Sequence, residues 1–152
     1  MTIDLGISFD QAEKDSRPQP IADGTYEFII HRIDEISSRD NRPGWRWYLT
    51  IINRPDIVNR SLIYNTYFPW TPPGSTEKDA SGLGMLVTIL DGIGAKWNGT
   101  ILPEKETFYG KTGVMKVGQR IRKMNPADPD EEGVPENTVR IVTKRRGGAT
   151  LA

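Results

Sequence analysis

Alternation of apolar and polar side chains with a period of two predicts five β-strands along this chain. The clearest pattern lies in the second segment, where Trp47, Leu49 and Ile51 share one face while Arg46 and Tyr48 share the other. The five predicted strands are Thr25–Glu35, Trp45–Ile52, Leu62–Phe68, Lys111–Lys123 and Thr138–Thr143.

The period changes between the third and fourth strands. Apolar residues spaced by three and four predict one helix that begins at Leu83 and ends near Gly92–Gly94. The preceding segment, Pro69–Gly82, is rich in Pro, Gly, Ser and charge, which predicts a flexible loop. Three strands, a helix and two strands are the element order of the five-stranded oligonucleotide/oligosaccharide-binding (OB) barrel. We therefore expect a mainly β, α+β fold: a five-stranded OB-type barrel with one helix between strands 3 and 4.

The chain of 152 residues is the size of one ordinary domain with loose ends. Residues 1–22 carry few large apolar side chains, which predicts a flexible N-terminal arm. We expect the OB-fold domain to cover residues 23–144 and a small, basic C-terminal tail to cover residues 145–152. The first twenty residues have no apolar core and no window approaches a membrane span, so we expect neither signal peptide nor membrane contact. The absence of cysteine favours a reducing compartment, the cytoplasm.

The residue types for common catalytic sites are missing. His31 is the only histidine and there is no cysteine, so nucleophile–base pairs and histidine- or cysteine-rich metal sites cannot be assembled from one chain. Gly110–Thr112 resembles the end of a phosphate-binding loop, but Lys105 stands where that motif needs glycine. A two-metal carboxylate nuclease stays open, although no spaced acidic set lies on a predicted strand beside a lysine. We predict no enzymatic activity, no cofactor and no metal site.

Positive charge is segregated in a chain whose formal net charge is zero, with 20 basic and 20 acidic residues. No acidic residue interrupts Lys111–Lys123 or Arg140–Arg146, and alternation sends three basic residues of the fourth strand to the face opposite Met115, Val117 and Ile121. Such a row is either an anion-binding site or a solvated face. Binding of single-stranded nucleic acid needs a basic groove together with exposed aromatic faces.

Aromatic residues accompany the basic ones. Arg46 and Tyr48 face outward if Trp47 faces the core, and further aromatics adjoin the Pro69–Gly82 loop, which could close over a strand. The alternative is that aromatic residues such as Trp45, Trp47 and Tyr64 belong to the core. The predicted nucleic-acid-binding residues are Arg46, Tyr48, Tyr64, Tyr67, Trp70, Lys116, Arg120 and Arg122.

Several short motifs carry a resemblance to a known family; they are Ile21–Tyr26, Trp47–Ile52, Leu83–Gly94, and Tyr109–Lys111 leading into Val114–Val117. Across about residues 23–143 the chain resembles small phage-encoded single-stranded-DNA-binding proteins, and related uncharacterised phage proteins that lie among recombination and replication genes. The resemblance implies an OB-type barrel in the infected host cell that coats single-stranded DNA, can form a homo-oligomer and works beside phage replication or recombination proteins. The tail lacks the acidic tip with which bacterial single-strand binders recruit partners, so we predict no recruitment through it.

Two functions remain after the sequence has been considered. The first is largely sequence-independent binding of single-stranded DNA in phage replication or recombination. The second is a structural or interaction β-barrel subunit of a virion or replisome assembly, with the aromatic residues at a protein interface. Tyr, Trp and Arg are also enriched in protein–protein hot spots, so composition does not separate these functions.

Overall fold

The computed structural model describes residues 2–4, 6, 19–57, 60–95, 99 and 101–144. Its centre is a five-stranded antiparallel sheet in the order β3-β2-β1-β4-β5. Within the described residues, one α-helix, α1 (Leu83–Gly92), lies between β3 and β4 in the sequence. The strands are β1 (Gly24–Ser37), β2 (Pro43–Ile51), β3 (Ser61–Tyr67), β4 (Thr112–Arg122) and β5 (Val134–Ile141).

This architecture confirms the predicted mainly β fold, with five strands and a helix between the third and fourth. The sheet is open, because in the described part of the chain β3 and β5 are its edges and no ladder joins them. Some Cα atoms of these two edge strands nevertheless lie within 8 Å of one another. The sheet therefore curves far enough to bring its edges together without closing into a hydrogen-bonded barrel.

The inner face of the sheet packs against α1 and forms the core. Trp47 is fully buried there, and its indole Nε1 donates a hydrogen bond to Thr66 Oγ1 at 2.9 Å. The helix contributes Leu86, Ile89 and Leu90 to the same core. Burial of each large apolar side chain contributes about 1.5–3 kcal/mol, so this face dominates the stability of the fold.

A β-bulge divides β1 and determines which side chains face outward. The register shifts between Ile30 and Arg32, leaving His31 as the extra residue. Without the bulge, alternation would send Arg32 to the inner face beside Ile30. Because of it, Arg32 is exposed and lies opposite Tyr48, whereas Ile33 is only 1% exposed and joins the core.

Ile21, which lies within the predicted arm at residues 1–22, is buried in the core. Its backbone N–H donates to Asn137 Oδ1 at 2.9 Å. Its carbonyl accepts hydrogen bonds from the side-chain amides of Asn137 and Gln119, both at 2.9 Å. The predictions for residues 7–18 and for the tail at 145–152 fall outside the described residues.

The Pro69–Gly82 loop lacks regular structure between residues 71 and 78, as predicted, but its base is fixed. The backbone groups of Trp70 and Asp79 pair with each other in an isolated antiparallel bridge. The guanidinium of Arg42 donates hydrogen bonds to the carbonyls of Phe68 and Asp79 and to Ser81 Oγ. The loop therefore leaves and rejoins the domain at a defined place.

Candidate nucleic-acid interface

Five residues on and beside the outer face of β1–β3 form a surface that we call the Arg–Tyr patch: Arg32, Arg46, Tyr48, Tyr67 and Tyr109. At its centre, the guanidinium carbon of Arg32 lies 4.2 Å from the ring centroid of Tyr48. The ladder between β1 and β2 places these two residues directly opposite each other. They form a cation–π pair that is built on rigid strands.

The neighbours of Arg32 fix its position and its charge. Its Nε atom lies 3.2 Å from Asp34 Oδ1, and its side chain is 53% exposed. A hydrogen bond with Tyr48, and then the negative charge of Asp34, raise the pKa of Arg32, with a smaller contribution from Tyr109. The Tyr109 hydroxyl in turn donates to the carbonyl of Ile33 at 3.1 Å. Arg32 therefore stays charged, and Asp34 offsets part of that charge while holding the guanidinium beside Tyr48.

Arg46 and Tyr67 extend the patch across β2 and β3. The Arg46 Nε donates to Asn65 Oδ1 at 3.1 Å, and Arg46 lies opposite Asp34 in the β1–β2 ladder. Tyr67 is half-buried against Gly44, where an added Cβ atom would lie 2.7 Å from its Cδ1. Glycine at position 44 thus leaves the space in which the Tyr67 ring lies on the sheet.

The patch combines the two groups that recognition of single-stranded nucleic acid requires. Planar tyrosine and guanidinium groups stack on bases, and the two arginines can donate to phosphate oxygens. The ion pair with Asp34 and the ladder around Tyr48 hold these groups before any ligand binds. Such preorganisation lowers the entropy cost of ordering these side chains when a ligand binds.

The basic residues predicted on the fourth strand lie on the outer face of the β4–β5 hairpin, separate from the patch. Lys116, Arg120 and Arg122 are exposed, as alternation indicated. Ile121, which alternation placed with Met115 and Val117, is 58% exposed, because the hairpin extends past the last β1 pair at Val117. Lys116 lies opposite Thr25 on β1, seven positions before Arg32, or about 20 Å along the strand. The fold therefore places these three basic residues apart from Arg46, with which the sequence analysis grouped them.

Two of the predicted aromatic residues lie outside the patch. Trp70 is half-buried at the base of the loop, where its backbone pairs with Asp79. Tyr64 is only 6% exposed, on the inner face, and its hydroxyl donates to the carbonyl of Met85 at 3.2 Å. Because a base cannot stack on a ring enclosed in the core, we leave Tyr64 out of the interface.

Because its phenol is buried, Tyr64 makes the free energy of unfolding depend on pH in the alkaline range. Burial raises the pKa of its phenol to about 12 in the folded chain, whereas an unfolded tyrosine titrates near 10. The folded state binds more protons between these values, so the free energy of unfolding falls as pH rises from about 10 to about 12.

Tyr64→Phe should flatten this fall, because phenylalanine has no proton to lose. At neutral pH the variant loses the hydrogen bond to Met85, which contributes about 1 kcal/mol. Urea unfolding at pH 8 and pH 11 measures both effects, with Tyr48→Phe on the outer face as the control. An alkaline loss of stability that is equal in wild type and Tyr64→Phe would contradict the assignment.

Two residues of the patch escaped the sequence analysis. Arg32 was missed because the bulge at His31 reverses the alternation that precedes it. Tyr109 follows a short 3₁₀ turn, Lys105–Phe108, and only the tertiary fold brings it to Arg32. The bulge does have a signal in the sequence, because the apolar residue Ile33 breaks the period-two alternation of Phe28 and Ile30.

The described residues contain no cluster of three or more His, Cys, Asp or Glu side chains that could hold a metal ion. Among these residues, no helix has the length and hydropathy to cross a bilayer. No protein-family model matches the chain, and no curated protein matches it either.

Proposed function

We propose that the protein binds single-stranded DNA, largely without sequence preference and without catalysis, in phage DNA replication or recombination. The observation that supports this function is the cation–π pair of exposed Arg32 and half-buried Tyr48, at 4.2 Å, within a patch of two arginines and three tyrosines. Stacking tolerates any sequence because every base has a π-face. The resemblance of the sequence to phage single-strand binders supports the biological setting.

The topology supports an OB-type barrel as the scaffold, with closure between β3 and β5 as part of the proposal. OB folds bind oligonucleotides on the face of strands 2 and 3 and through the loops that join strands 1–2 and 4–5. The Arg–Tyr patch lies on and beside the outer face of β2 and β3, which supports this comparison. The β4–β5 loop, residues 123–133, carries four carboxylates and one lysine, so a DNA strand that leaves the patch would meet basic residues along β4 and β5 and not on this loop.

Titration of a labelled thymidine oligomer of about 30 nucleotides, followed by anisotropy, tests the proposal. We expect the affinity to fall with salt, with a log–log slope of about −0.7 for each phosphate contacted. A duplex of the same length should bind far more weakly, because its bases are already stacked on one another. Failure to bind the oligomer at low salt would overturn the proposal.

An interaction module is the second candidate, favoured by apolar residues at the hairpin end. Ile121, Met124 and Val134 are 58%, 91% and 45% exposed. A cleft of about 640 Å³ beside α1, lined by Trp45, Phe68 and other apolar residues, is a further surface of this kind. An apolar assembly persists at high salt, whereas a complex with DNA dissociates. Sedimentation across the same salt series therefore distinguishes the two candidates.

A further inference from the structure

Two basic residues lie side by side on the outer face of β4 and β5. The ladder places Lys116 directly opposite Arg140, and both side chains are exposed. Like charges in directly opposite positions destabilise an antiparallel pair of strands. The pair is therefore unfavourable in the free protein unless an anion lies between the two side chains.

The next basic residues on this face have a carboxylate partner within the protein. The Nε atom of Arg120 lies 2.6 Å from Glu136 Oε1, and an Nη atom of Arg122 lies 3.9 Å from Glu136 Oε2. Among the described residues, no carboxylate lies within 4.0 Å of Lys116 or Arg140 to form an ion pair. Of the four basic residues on this face, Lys116 and Arg140 are therefore the two without a carboxylate partner among the described residues.

Two threonines and a glycine neighbour this basic pair on the sheet. Thr25 on β1 lies opposite Lys116, and Thr138 on β5 is the next outward-facing residue beside Arg140. Gly118 lies opposite Thr138, where an added Cβ atom would be 2.9 Å from Thr138 Oγ1. The absence of a side chain at Gly118 therefore leaves room for the Thr138 hydroxyl, which can donate a hydrogen bond to an anion held by the basic pair.

We propose that Lys116 and Arg140, with Thr25 and Thr138 beside them, form a phosphate-binding subsite. An ammonium group supplies a compact charge and a guanidinium supplies two parallel donors, which together suit a phosphate with several free oxygens. The subsite rests on the proposed function, because its ligand is a phosphodiester of the strand that stacks on the patch. Glu136 makes Arg120 and Arg122 the weaker contacts.

The subsite lies about 20 Å along β1 from the Arg–Tyr patch. Its contribution to binding should therefore depend on the length of the DNA strand. A thymidine oligomer of about 4 nucleotides can occupy the patch alone, whereas one of about 16 nucleotides can reach both surfaces. Glu27, with its carboxylate, faces outward between them, opposite Val114. A strand that joins the two surfaces must pass this residue.

The test compares two double variants that remove the same charge from the same face. Lys116→Gln with Arg140→Gln should weaken binding of the longer oligomer about tenfold at low salt and reduce the salt slope by about 1.4 units, at about 0.7 for each contact. Arg120→Gln with Arg122→Gln should weaken binding less, by about threefold or under, because Glu136 offsets one of these two charges and competes with the DNA for both guanidinium groups. The oligomer of about 4 nucleotides should bind all three proteins equally.

Equal losses in both double variants would show that only overall charge matters and would overturn the subsite. Unchanged binding in the Lys116→Gln, Arg140→Gln protein would overturn it as well. Neither double variant removes a buried side chain, so both should fold, and loss of the like-charge pair should leave the thermal midpoint unchanged or raised. Circular dichroism measures this midpoint.

A titration with inorganic pyrophosphate separates failure of the subsite from failure of the proposed function. We expect amide shifts in wild type that centre on residues 116–118 and 138–140 and vanish in the Lys116→Gln, Arg140→Gln protein. If these shifts appear but wild type binds no oligomer, the proposed function fails and an anion site for free phosphate stands. If oligomers bind but the shifts lie elsewhere, the subsite fails and the function stands.

Discussion

Replacing Tyr48 by Ala should weaken binding of thymidine oligomers by about 5- to 150-fold, because stacking on one aromatic ring contributes about 1–3 kcal/mol. Tyr48 is the central ring of the Arg–Tyr patch, and the guanidinium of Arg32 lies over it at 4.2 Å. Removal of the ring also frees Arg32 from its stacked position. We therefore expect the loss to include part of the contribution of Arg32.

A double-mutant cycle over Arg32 and Tyr48 measures this dependence. Because the two side chains touch, the loss in Arg32→Ala, Tyr48→Ala should be smaller than the sum of the single losses. Arg54→Ala is the matched control, since Arg54 pairs with Asp56 at 2.9 Å and lies over the Tyr26 ring beyond the end of β2. Unchanged affinity in Tyr48→Ala, or an equal loss in Arg54→Ala, would contradict the stacking assignment.

The strands and the helix could be predicted because their burial follows a simple period. Trp47, Leu49 and Ile51 alternate with half-exposed residues along β2, and the structure buries all three. The stripe from Leu83 to Ile93 likewise predicted α1, which ends at Gly92. These elements depend on local spacing, and local spacing is visible in a sequence.

The composition of the candidate site depends on features that have no such period. The bulge at His31 reverses the faces of β1, so Arg32 could not be assigned to the outer face. Glu136 meets Arg120 and Arg122 only through the register of β4 and β5, so the ion pairs that they share with it could not be foreseen. Tertiary pairing therefore decides which cations stay available to a ligand.

The Pro69–Gly82 loop also depends on a contact that local spacing does not show. Its base is held by Arg42, which is distant in sequence. Arg42 is 11% exposed in its side chain, and its guanidinium also lies 3.6 Å from Asp79 Oδ2. Hydrogen bonds from the backbone and then the side chain of Ser81, and more weakly the charge of Arg42, lower the pKa of Asp79. The guanidinium of Arg42 carries donors that diverge in one plane and reach all of these acceptors. The ammonium group of a lysine cannot bind the same set of acceptors.

Arg42→Ala should lower the free energy of unfolding by about 2–4 kcal/mol, because the carbonyls of Phe68 and Asp79 each lose a charged donor. Arg42→Lys should restore less than half of this loss. Urea unfolding measures the stability, and hydrogen exchange at Trp70 and Asp79 reports whether the base of the loop opens. Arg39 lies on the same turn with an exposed side chain. In Arg39→Ala the free energy of unfolding should therefore stay within about 0.5 kcal/mol of the wild-type value. Full rescue by lysine, or unchanged exchange in Arg42→Ala, would show that the loop is held by other contacts.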